Sequence, residues 1–120
     1  MLKRYQEILG YPSGWFFEEK TEVDGVLAIH GEGFSRSTWR LAHDKFKQPV
    51  VMGHLHSGGG TVYSQSPKRR YFSMNAGCLI DTRMKAFDYG KHLPEKPTIG
   101  SSIVIDGEFA VFEPMPLKML

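Results

Sequence analysis

The sequence predicts an α/β fold with a mixed sheet, and three observations carry that expectation. Two short apolar runs, Val26–Ile29 and Val50–Met52, are bounded by glycine or proline and read as strands buried on both faces. Between them, a helical spacing puts Trp39, Ala42, His43 and Phe46 on one face. Beyond Gly60 the pattern changes to short hairpin-forming segments, with Asp106-Gly107 between two apolar runs as the strongest two-residue turn signal.

In chain order, residues 3–9 are expected to form a short helix stopped by Gly10. Trp15-Phe16-Phe17 is expected to begin a strand after the turn formers Pro12, Ser13 and Gly14. His30 closes the strand Val26–Ile29, and Ser35 or Ser37 is placed to cap a helix running to about Phe46. Strands follow at 61–66 and 71–75, then a turn at Gly77-Cys78, and a last pair at 101–106 and 108–112. Pro94, Pro97, Pro114 and Pro116 punctuate the remaining loops.

Composition sets broad bounds. A chain of 120 residues, 41% hydrophobic and 23% charged, is read as a single domain spanning residues 1–120 that can bury a core. The net charge of +2 is too small to argue for nucleic acid, and only Lys68-Arg69-Arg70 is locally basic, in what reads as a solvated hairpin turn. Cys78 stands alone, so no internal disulfide forms. No N-terminal apolar stretch has signal or membrane-spanning length, and a reducing cytoplasmic location is expected.

The chemistry concentrates in Gly53-His54-Leu55-His56, directly after Val50–Met52 and before Gly58-Gly59-Gly60. An extended segment points residues i and i+2 to one side, so His54 and His56 are expected to aim at a common location while Leu55 turns inward and Gly53 leaves room. Ligands in open α/β sheets collect beyond the carboxyl ends of strands, where His30 also falls, and two neighbouring strand ends would unite three imidazoles. That geometry suits two adjacent divalent cations, with His54 and His56 able to serve one ion each, and His30, His54 and His56 are the expected metal ligands. His43 is expected on a partly exposed helix face and His92 in a proline-rich loop, neither as a ligand. The Gly58-Gly59-Gly60 run lacks a following helix or a Lys-Ser/Thr pair and reads as a flexible loop rather than a phosphate cradle. Asn75 reads as a turn stabiliser, and Cys78 as a small buried apolar residue.

The order His30-Gly31, helix, Val50-Val51-Met52-Gly53-His54-Leu55-His56, then Met74-Asn75-Ala76-Gly77-Cys78-Leu79, resembles the C-terminal half of a calcineurin-like metallophosphoesterase over about residues 20–115. With Gly77-Cys78-Leu79, Tyr89 and a late Gly-rich strand, it is similar to the variety encoded by bacteriophages. The resemblance implies the second half of a β-sandwich flanked by helices. It implies two divalent ions (Mn, Fe or Zn), one held by His30 and His54 and the other by His56. The family's Asp-x-His, Gly-Asp-x-x-Asp and Gly-Asn-His-Glu motifs do not occur in this chain. Three neutral imidazoles do not neutralise two divalent cations, so the expected role is one side of a dinuclear phosphoesterase site, with the catalytic acid and base unassigned. Its expected partners are a phosphate-ester substrate, nucleotide or nucleic acid among them, and a complementary N-terminal chain or a second copy covering an apolar face that includes Trp15, Phe16 and Phe17. The alternatives are a mononuclear three-His zinc protein and a non-catalytic binding module.

Overall fold

The computed structural model describes residues 5–116 and Lys118. Its elements are a short helix α1 (Tyr5–Leu9), strands β1 (Lys20–Val23) and β2 (Val26–Ile29), a 3₁₀ turn (Thr38–Leu41) running into helix α2 (Ala42–Phe46), and β3 (Val50–Met52). Then come β4 (Gly60–Gln65), β5 (Arg70–Asn75), a second 3₁₀ turn (Lys85–Gly90), β6 (Gly100–Ile105) and β7 (Phe109–Pro114). Five strands form one mixed sheet in the order β1-β2-β3-β5-β4, and β6 and β7 form a separate hairpin. The mixed α/β class is therefore as expected, with few helices.

Strands β2, β3 and β5 run parallel and adjacent, registered so that Ile29 pairs with Met52 and Met52 with Asn75. Their carboxyl ends thus finish in one row, which places His30, residues 53–54 and Asn75 side by side. Period-two alternation splits the side chains between two cores. On one face Leu27, Val50 and Met52 pack against Trp39 and Ala42 of the helical segment. On the other, Val26, Phe72 and Met74 pack against Ala110 of the hairpin. The result is three layers: helix, sheet, hairpin.

Ser35 rather than Ser37 organises the start of the helical segment. The Ser35 hydroxyl accepts the Thr38 N–H and the Thr38 hydroxyl accepts the Ser35 N–H, a reciprocal cap, whereas the Ser37 side chain caps nothing. Trp39 and Ala42 face inward as predicted, but Phe46 is 38% exposed, and Lys47 ends the helix in the left-handed region at φ 57°. His43 departs from expectation, being only 2% exposed.

Two further departures concern the N-terminal third and the glycine run. No strand forms at Trp15-Phe16-Phe17; the first strand is Lys20–Val23, joined to β2 through Asp24 and Gly25 at φ 50° and 74°. Positive φ at both central positions makes a tight hairpin turn, the same device as Asp106 and Gly107 at 51° and 67°. Trp15, Phe16 and Phe17 lie exposed, with Tyr11 stacked on Trp15 at 5.2 Å. Gly58-Gly59-Gly60 is not a free loop. Gly60 opens β4 opposite Asn75, and a Cβ on Gly59 would lie 2.3 Å from the Phe112 ring. Gly77 and Gly100 meet the same ring, at 2.8 and 2.6 Å. Three glycines thus make the seat that receives Phe112 and docks the hairpin.

Tyr63 adds a second anchor: its hydroxyl donates to the Ala110 carbonyl at 2.9 Å and accepts the Ala110 N–H at 2.8 Å. The hairpin's outer face carries the exposed apolar pairs Ile103–Val111 and Ile105–Phe109. Among the described residues no helix is long and apolar enough to cross a membrane.

Candidate functional site

The parallel ends of β2 and β3 create the site. Beyond Met52 the chain stays alongside the end of β2, and the Gly53 and His54 N–H groups both donate to the His30 carbonyl, at 3.3 and 2.9 Å. Those two hydrogen bonds fix His54 beside His30. His54 Nδ1 lies 3.0 Å from His30 Nε2, with ring centroids 4.9 Å apart and planes at 71°. Gly31 permits this approach: it sits at φ +105°, and a Cβ there would lie 3.1 Å from the Cβ atoms of both His54 and Met52. Gly53 has open space where a side chain would be, as the sequence suggested.

Asn75 holds the histidine-bearing loop from the third strand end. It is fully buried, and its Nδ2 donates to the Leu55 and Gly58 carbonyls, at 2.9 Å each. Those two acceptors fix the orientation of the amide, leaving Oδ1 buried with no hydrogen-bond partner among the described residues. The turn-stabilising role expected of Asn75 is thus specific: it ties residues 55–58 to the sheet.

His56 takes a different course from His54. The strand ends at Met52, so period-two alternation does not carry on to residue 56, whose carbonyl instead accepts the Thr98 N–H at 2.7 Å. Among the described residues no three His, Cys, Asp or Glu side chains come together as one ligand group, so His56 is not joined to the His30–His54 pair. His54 and His56 do share a cavity of about 690 Å³. Its far wall is a strap, residues 80–97, whose start is clamped by Asp81 and Arg83. The Arg83 guanidinium and N–H hold the Asp81 carboxyl down from 3.8 to about 2. The depressed value means the clamp persists at neutral pH and is lost only as pH falls from about 3.8 toward 2. An exposed ion pair, Arg36 with Glu95, links the strap to the loop after His30.

The remaining polar residues have structural roles. His43 Nδ1 lies 2.7 Å from Ser73 Oγ, which also accepts the His43 N–H at 2.9 Å. The pair resembles a nucleophile and its base, but Ser73 is wholly buried and no substrate reaches it. It pins α2 to β5. Cys78 Sγ sits 3.7 Å from the Thr98 carbonyl, and its backbone bridges to Ile99, tying the main sheet to the hairpin strand. Lys68, Arg69 and Arg70 are exposed at the β4–β5 turn.

Comparison with protein-family profiles, curated proteins and solved structures finds no match to this chain.

Proposed function

We propose that this chain supplies the histidine side of a divalent-cation site in a phosphoesterase of the calcineurin-like type, with His30 and His54 as ligands to one ion and His56 directed to a second. The observation that carries the reading is the 3.0 Å approach of His30 Nε2 and His54 Nδ1 at adjacent parallel strand ends. Two nitrogens bound to one ion at about 2.0–2.1 Å, subtending about 95°, lie about 3 Å apart, so the pair fits a shared cation with little movement. A sheet covered by a helix on one face and a strand pair on the other suits half of such a sandwich.

A divalent cation held there supplies Lewis-acid polarisation of a phosphoryl group. The chain's own residues do the positioning. The His30 carbonyl orients the His54 backbone, Gly31 admits its side chain, and Asn75 fixes the loop that follows. Both imidazoles must be unprotonated to ligate, so cation uptake declines on acidification. A three-histidine zinc centre is less well supported, because no third histidine joins the pair among the described residues.

The test is manganese uptake by the full chain and, on mixing with a complementary N-terminal half, manganese-dependent hydrolysis of bis(p-nitrophenyl) phosphate, each with and without His54→Ala. The chain alone is expected to be inactive, the mixture to gain activity, and His54→Ala, which removes one of the two ligands, to weaken uptake by about tenfold or more. No gain of activity on mixing, or uptake unchanged by His54→Ala, would remove this reading.

A further inference from the structure

The cavity beside His54 has the size and lining of a binding site for an organic ligand, beyond what the histidine pair requires. At about 690 Å³ it lies within the range that encloses a drug-sized molecule. Leu55, Ile80, Phe87, Leu93 and Ile99 give it an apolar wall, with the two histidines at one side. A cation site acting on phosphate alone has no use for such a wall. Leu93 is the informative case: it is 52% exposed although it lines the cavity, so apolar surface is left uncovered where a ligand would cover it.

Charge on the same wall selects an anion. The Lys96 ammonium donates to the Gly90 and Lys91 carbonyls, at 3.3 and 2.9 Å, and has no carboxylate partner among the described residues. Three donors serve an ammonium, so one remains for a ligand, on a side chain already held in place. The carboxylate that lines the cavity, Glu95, is taken by Arg36. The wall therefore offers a fixed positive charge, two imidazoles and the ring of Phe87, against which a flat ring can stack.

We propose that this cavity binds the aromatic moiety of an anionic phosphate ester of nucleotide size, its ring against Phe87 and Leu93 and its charge toward Lys96 and the histidines. The assignment rests on the phosphoesterase reading for the ester, but its ring selectivity does not depend on a bound cation. It therefore separates this chain's substrate class, nucleotides and aryl phosphates, from sugar phosphates and inorganic phosphate.

Calorimetric titration of the full chain with 5′-AMP, ribose 5-phosphate and inorganic phosphate tests it, in the presence and absence of manganese. AMP is expected to bind about tenfold or more tighter than ribose 5-phosphate, since stacking of one base contributes on that scale. Leu93→Glu, at an exposed position that tolerates a polar residue, is expected to erase the preference while circular dichroism remains unchanged. Lys96→Gln should weaken AMP and ribose 5-phosphate alike. Equal affinity for AMP and ribose 5-phosphate, or a preference untouched by Leu93→Glu, overturns the proposal. Manganese uptake without an AMP preference sinks the cavity assignment alone. An AMP preference without manganese uptake upholds the cavity and sinks the phosphoesterase reading.

Discussion

Replacement of Phe72 by alanine is expected to cost about 3–5 kcal/mol, read as a shift in the urea midpoint with an unchanged slope. Phe72 is fully buried on the hairpin face of the sheet, among Val26, Met74 and Ala110, with the Tyr63 ring edge-on at 6.0 Å. The two layers are otherwise joined by few groups: the Tyr63 hydroxyl, the Cys78–Ile99 bridge and the Phe112 ring in its seat of glycines. Deleting the largest side chain of that interface leaves a cavity that the backbone-tied strands cannot collapse to fill. Against a typical total of about 5–15 kcal/mol, the loss threatens folding at physiological temperature. A cost below about 1 kcal/mol would mean that the hairpin does not pack on this face.

Asn75→Ala is expected to cost about 2 kcal/mol or more and to loosen the histidine loop. The substitution strands the Leu55 and Gly58 carbonyls, both satisfied by the one amide. Asn75→Asp tests the mechanism separately, because a carboxylate keeps the shape but cannot donate to either carbonyl. Both variants should speed amide exchange at Gly58, whose N–H bonds to Leu55, and weaken cation uptake together. Unchanged exchange in either variant would show that Asn75 does not hold the loop.

What the sequence made legible follows from range. The strands Val26–Ile29 and Val50–Met52 and the turn at Asp106-Gly107 depend on local apolar pattern and backbone chirality, and all three stand in the structure. Asp24-Gly25 is the same turn signal, yet it was obscured because the strand before it, Lys20-Thr21-Glu22-Val23, is exposed throughout and shows no apolar alternation. The aromatic run at Trp15 carries high strand propensity, yet no strand forms there, because propensity alone does not make a strand. His43 is buried because Ser73, thirty residues away, satisfies it, a partner that helical spacing cannot reveal. The glycine run conceals a steric demand for the same reason, since Phe112 is far off in sequence.

The candidate site divides along the same line. His30 and His54 follow directly from where two parallel strands end, and they meet. Extending the strand's alternation past Met52 predicts His56 on the same side as His54, whereas the strand ends at Met52 and the His56 carbonyl is committed to the Thr98 N–H. Gly31 stands in the sequence only as part of the His-Gly pair at the end of β2. Its physical content is close approach at positive φ.

The most direct test of the histidine pair is a zinc titration followed by imidazole nitrogen NMR on the full chain. His30 Nε2 and His54 Nδ1 are predicted to shift together and saturate at the same zinc concentration, with exposed His92 unaffected. Separate titration of the two, or no shift in either before His92 responds, would contradict the shared cation on which the account rests.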